Sequence, residues 1–142
     1  MHLMIAHSDW KHDNVFAGIA DNGNTIQFDA DDAHKHGPSP LEAVLMALCS
    51  YSSVDVVSIL QKKRQQLTGL RVSAAAERAP EAPRVFTSIK LTYAVRGREL
   101  SRKAVEDAVS LSKNKYCSVS KMLEKAATIE YEIIFPDGAP KP

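Results

Sequence analysis

Apolar residues crowd positions 41–60 almost without a break, while on either side they are sparser and tend to alternate with polar ones. Upstream, residues 3–7, 14–20 and 25–29 read as short strands. Val15-Phe16-Ala17-Gly18-Ile19-Ala20 and Thr25-Ile26-Gln27-Phe28 flank Asp21-Asn22-Gly23-Asn24. Asn-Gly is a strong hairpin signal, because both residues tolerate positive φ. The polar stretch 29–37 should be irregular. Pro38-Ser39-Pro40 then opens a long helix, predicted over 38–66. Proline suits a first helical turn, Ser39 is placed as N-cap, and Glu42 three residues later completes a capping box. The first half of this helix is apolar almost all round, which predicts burial on most sides. Its end, Gln61-Lys62-Lys63-Arg64-Gln65-Gln66, suits water and the negative pole of the helix dipole.

Thr68-Gly69 is expected to end the helix. Residues 70–77 and 85–95 read as strands around a loop holding Pro80 and Pro83, with Phe86, Ile89, Leu91 and Tyr93 as apolar positions of the second. Ser101 should cap a helix over 102–113. A short helix over 117–126 and a strand over 129–135 follow, then a loose tail over 136–142. The order predicts an α+β fold, in one domain over 1–142: N-terminal strands in 1–36, the central helix over 38–66 and a C-terminal αβ part over 69–135. So apolar a helix in so small a chain needs more cover than one protomer offers, which predicts a homodimer.

Composition narrows the function. The 142 residues are 44% apolar and 25% charged with a net charge of +1, a soluble globular balance without the basic field that nucleic acid requires. No signal peptide is read at the N-terminus. The 41–60 stretch could suggest a membrane span, but it holds Glu42, Asp55 and Ser50, Ser52, Ser53 and Ser58. Such groups are disfavoured at mid-depth, so a core helix and a cytoplasmic protein are expected, with no membrane partner. His34-Lys35-His36 is a lone His-x-His on a polar loop, and no metal site is expected there. The two cysteines, Cys49 and Cys117, are either small buried hydrophobes or a reactive pair.

Several segments together resemble the OsmC/Ohr family, and most closely its YhfA-like branch. They are Gly37-Pro38-Ser39-Pro40-Leu41-Glu42, Val44-Leu45-Met46-Ala47, Asp55-Val56-Val57-Ser58-Ile59-Leu60-Gln61-Lys62, Ala82-Pro83-Arg84-Val85-Phe86, Lys115-Tyr116-Cys117-Ser118-Val119-Ser120 and Met122-Leu123-Glu124-Lys125-Ala126. The resemblance covers about residues 15–135. It implies an OsmC-like fold, an intertwined homodimer with antiparallel sheets packed on long central helices, and two active sites at the subunit interface. It also implies oxidative-stress chemistry without a cofactor. A peroxidatic cysteine on the central helix attacks an organic hydroperoxide, a second cysteine resolves the sulfenic acid to a disulfide, and a dithiol reductant restores both.

Cys117 stands where the resolving cysteine belongs. The family's peroxidatic cysteine lies four residues before Asp-Val-Val and eleven after the helix-opening proline, and both counts land on Tyr51. Cys49 is two residues earlier, about 200° away around the helix, so a disulfide between Cys49 and Cys117 within one protomer is not expected. Tyr51 is read as filling the peroxide pocket, or as a phenol that takes part in binding. The arginine that the organic-peroxide branch supplies from its N-terminal part is missing, since the first arginine is Arg64. Leu41 occupies the place of that branch's glutamate. Glu42, one residue on, is a further candidate, more readily a helix cap than a partner of Cys49. Lys113, Lys115 and a helix N-terminus should favour the Cys117 thiolate, making it the more reactive thiol. Three readings follow: a thiol-dependent enzyme acting on hydroperoxides, a catalytically impaired relative that binds a small apolar ligand at the dimer interface, and a structural dimer that serves a protein partner.

Overall fold

The computed structural model describes residues 3–140 and divides into two compact units, Met1–Leu45 and Met46–Pro142. The first unit holds an antiparallel sheet of β1 (Ala6–His12), β2 (Val15–Ala20) and β3 (Thr25–Asp29) in that order. The first strand was expected on the apolar residues 3–7, but it runs through Trp10 to His12. A tight turn at Asp13-Asn14, with Asp13 at φ 44, pairs His12 with Val15 and Ala6 with Ala20. Turn geometry sets the register here, ahead of hydrophobicity. The second hairpin turns where Asn-Gly predicts. Only Gly23 takes positive φ; Asn22 contributes its side chain, whose Oδ1 accepts from Asn24 N at 3.1 Å.

The polar loop that follows is gathered on Asp29, which is 3% exposed. Its carboxylate accepts from Asp31 N at 2.9 Å and His36 N at 3.1 Å. The backbone hydrogen bond from Asp31, then that from His36, holds this carboxyl below its usual range despite an opposing contribution from burial. The capping box forms as read: Ser39 N donates to Glu42 Oε1 at 2.9 Å and Glu42 N to Ser39 Oγ at 3.0 Å.

Helix α1 spans Pro40–Lys62, and the boundary between the units falls within it. It stops short of residue 66, and Thr68-Gly69 is not its end. Arg64 adopts φ 57, Arg64 N bonds Gln61 O, and Gln65 N bonds Leu60 O. That is a Schellman termination with arginine in the left-handed position that glycine usually fills. Gly69 lies inside the next strand, at a register irregularity between Leu67 and Gly69.

In the second unit, β4 (Gln66–Arg78) and β5 (Phe86–Arg98) pair antiparallel, and β6 (Thr128–Ile134) joins β5 in parallel. The antiparallel pairing expected of the sheets holds for β1–β2, β2–β3 and β4–β5, while β5–β6 is parallel. The chain leaves β5 through two helices and so returns in the same direction. On β5, Ile89, Leu91, Tyr93 and Val95 alternate inward and are nearly sealed. Helix α2 (Arg102–Leu111) is capped by Ser101, whose Oγ accepts from Ala104 N at 3.2 Å. It buries Ala104, Val105, Ala108 and Val109. One π-helical turn over Ser112–Tyr116 follows, closed by Cys117 N donating to Ser112 O at 2.8 Å, and α3 covers Ser118–Leu123.

Burial of α1 on most sides is not met within one chain. Only the stripe Leu48, Ser52, Val56 and Leu60 is sealed, because one sheet layer covers one face of a helix. By length and composition α1 could cross a membrane, and 22% of its apolar window is buried. Met46 and Val54 stand 54% and 66% exposed on its other face.

Candidate functional site

The site grows from one anomaly, a serine on the sealed stripe of an apolar helix. Ser52 sits between Leu48 and Val56 at i ± 4 spacing and is 1% exposed. A buried hydroxyl needs partners, and it has two: Tyr93 Oη at 2.6 Å and Ser112 Oγ at 3.0 Å. Ser112 Oγ in turn donates to Asp55 Oδ2 at 2.9 Å. Helix α1, strand β5 and the π turn therefore meet in one chain of polar groups. Among the described residues no buried side-chain nitrogen or oxygen lacks a partner.

The two thiols lie on adjoining parts of the same elements, Cys49 on α1 and Cys117 directly after the π turn. Cys117 is wholly buried and caps α3, its Sγ accepting from Ser120 N at 3.3 Å. Cys49 is half-buried on α1, and both are free. The Tyr93 phenol is pushed up to about 12, first by burial, against the hydrogen bond with Ser52; Cys117 and Cys49 both add to the rise. Cys49 and Tyr51 point nearly opposite ways around α1, as the helical count gives. Cys49 lies roughly 60° from Ser52 on one flank of the sealed stripe, and Tyr51 lies roughly 100° from Ser52 on the other.

The charge argument for Cys117 does not hold. Burial raises this thiol, the backbone N–H groups of Ser120 and Val119 oppose the rise, and Asp55 adds to it. Lys115 Nζ lies over the Tyr116 ring, 5.4 Å from its centroid. Burial raises Cys49 as well. Neither sulfur has the lowered pKa that marks a reactive thiolate.

Tyr51 is 41% exposed, and its oxygen accepts from Ser118 Oγ at 3.3 Å, one residue beyond Cys117. It does not fill a closed pocket. It forms one wall of a groove of about 510 Å³ shared with Asp55, Ile59, Lys62, Leu111 and Tyr116. Glu42 belongs to the first unit, where the capping box engages its carboxylate. The hydrogen bonds from Ser39 lower its pKa. His34 Nδ1 lies 2.8 Å from Asp29 O and its Nε2 3.8 Å from Glu42 Oε1. The His36 ring packs edge-on against His12. Among the described residues no group of three or more His, Cys, Asp or Glu side chains could hold a metal ion.

The sequence reading missed Ser52, Tyr93 and Ser112. One signal was available: a polar residue at the centre of a sealed apolar stripe implies a buried partner. The partners themselves come from a strand and a π turn whose placement only the fold determines.

Comparison with known proteins agrees with this architecture. The family model described as OsmC-like protein matches residues 31–132. Protein YhfA of Escherichia coli K12 is 47% identical over 133 residues, covering 92% of this chain and 98% of the relative. The crystal structure of an OsmC-like protein from Mycoplasma pneumoniae superposes with a TM-score of 0.80 at 16% identity, covering 94% of this chain and 97% of that one. The organic hydroperoxide resistance protein OhrB of Bacillus subtilis superposes at 0.63 with 14% identity, covering 94% and 98%; at such identities the likeness is one of fold. The matched model spans most of the chain and the YhfA likeness nearly all of it, so this chain belongs to the OsmC-like protein family.

Proposed function

We propose that this chain is a cytoplasmic homodimer that binds a small organic molecule in the groove beside Tyr51, with the family's hydroperoxide chemistry impaired. The observation that carries this reading is Tyr51 itself. By the helix count it occupies the family's peroxidatic position, and there it offers a phenol bonded to Ser118 at the mouth of a groove of about 510 Å³. The walls combine apolar Ile59 and Leu111 with two phenols, the Asp55 carboxylate and the Lys62 and Lys63 side chains, a mixture that suits an organic ligand with an apolar body and a polar end. Neither cysteine is poised as a thiolate, and thiolate is the form that attacks a peroxide.

The dimer follows from α1. Met46, Ala47, Ser50 and Val54 are exposed along one face of a helix that is apolar for most of its length. A second copy would cover that face, and a dimer so formed has no need of a lipid environment. Asp55 and the serines of the same helix also disfavour a span. Nucleic acid is no partner for a chain with a net charge of +1.

The reading is tested by calorimetric titration with cumyl alcohol, the reduced counterpart of an organic hydroperoxide. Saturable binding, weakened several-fold by Tyr116→Ala at the exposed lip of the groove, is expected. Absence of binding overturns it.

A second reading is a working thiol peroxidase. It is favoured by two free cysteines, one on the central helix and one capping α3. The Cys49 thiolate would attack the hydroperoxide, releasing an alcohol and leaving a sulfenic acid. Cys117 would displace water to form a disulfide, and a dithiol reductant would restore both thiols.

A further inference from the structure

The chain from Asp55 to Tyr93 has a direction, and it follows from counting protons. Ionised Asp55 can only accept. Ser112 therefore donates its single proton to Asp55 Oδ2 and has none for Ser52. Ser52 must donate to Ser112 across 3.0 Å, and Tyr93 must donate to Ser52 across 2.6 Å. The phenol oxygen at the sealed end of the chain is left as an acceptor. When Asp55 takes up a proton it becomes a donor to Ser112, and each hydroxyl can rotate to point the other way. Tyr93 then has its own proton free. No proton leaves the chain in this change; only the hydroxyl orientations reverse.

We propose that Asp55, Ser112, Ser52 and Tyr93 form a directional hydrogen-bond relay that reports the protonation of a groove carboxylate to the buried Tyr93 phenol. Asp55 is thereby a positioning residue for the Tyr93 hydroxyl. The relay begins at a wetted end, since Asp55 lines the groove with Tyr51, Lys62, Lys63 and Tyr116. It ends at a sealed one, where Tyr93 is wholly buried and meets Tyr131 edge-on. Burial also makes the Asp55 carboxyl easier to protonate than an ordinary one. Cys117, at the cap of α3, feels its charge directly.

The experiment follows the Tyr93 ring carbon that bears the hydroxyl, by nuclear magnetic resonance of carbon-13 tyrosine in the intact protein, assigned with Tyr93→Phe. In the wild type this resonance should step at the pH where the Asp55 carboxyl titrates, and Asp55→Asn should abolish the step. Ser52→Ala cuts the relay and should abolish the step at Tyr93 while Asp55 still titrates. Ser112→Ala makes a second, independent cut, and Ser112→Thr, which keeps the hydroxyl, should restore the response. A Tyr93 resonance that ignores Asp55 in the wild type overturns the relay, and so does a step that survives either cut, because the carboxylate would then act through space alone.

Discussion

Ser118 Oγ donates to the Tyr51 phenol oxygen at 3.3 Å, joining the middle of α1 to the residue directly after Cys117. The phenol therefore faces the segment that carries Cys117. Cys49 lies on the opposite flank of the sealed stripe.

Access to the two thiols differs, and reactivity should follow it. Cys117 is wholly buried and Cys49 half-buried, while burial raises the pKa of both. In the folded protein iodoacetamide should modify Cys49 faster than Cys117, the reverse of the order expected from charge in the sequence. Mass spectrometry of the labelled peptides reads the ratio, and preferential labelling of Cys117 would refute the burial argument.

Ser52→Ala removes two buried hydrogen bonds and strands the Tyr93 hydroxyl. The expected loss is about 1–3 kcal/mol, measured by urea unfolding. Adding Tyr93→Phe should recover part of it, since no hydroxyl then remains unpaired. A double variant that is less stable than Ser52→Ala by the full cost of a second, independent substitution would argue that the two groups do not act together.

Alkaline pH should unfold the protein earlier than a chain without buried thiols and phenols. Tyr93 and Cys117 are acids whose folded pKa values are raised. Below their ordinary values both states keep the proton and nothing is lost. Above them the unfolded chain ionises first, so stability falls from the ordinary thiol range up to the Tyr93 value of about 12. Tyr93→Phe should flatten the upper part of that fall in denaturation curves taken across pH; an unchanged slope would contradict the assignment.

Val54→Asp sets a charge on the exposed face of α1, where Val54 is 66% exposed in the single chain. Sedimentation velocity should show a dimer for the wild type and a monomer for the variant. A monomeric wild type, or an unaffected dimer, would remove this face from the interface.

How far the sequence could be read depended on whether local residues or distant partners decide a feature. The capping box at Ser39 and Glu42 and the Ser101 cap are local hydrogen bonds, and both appear where they were read. The end of α1 is local too, but glycine drew the reading to Gly69 while Arg64 took the left-handed conformation. The first strand was misplaced because the Asp13-Asn14 turn outweighs the apolar run before it. The helix count placed Tyr51 beside the Cys117 segment. It could not place Ser112, whose position depends on a π turn, nor Tyr93, which read as one more apolar residue of a strand. The half-bare surface of α1 has the same origin: sequence shows that a helix is apolar, but not which chain covers it.

The most direct test of the account measures organic hydroperoxide consumption by purified protein with a dithiol donor, comparing wild type with Tyr51→Cys. The account predicts no consumption above background for the wild type and a clear gain when a sulfur replaces the phenol. Wild-type turnover that disappears in Cys117→Ser would contradict it and assign the chemistry to Cys49 and Cys117 as they stand.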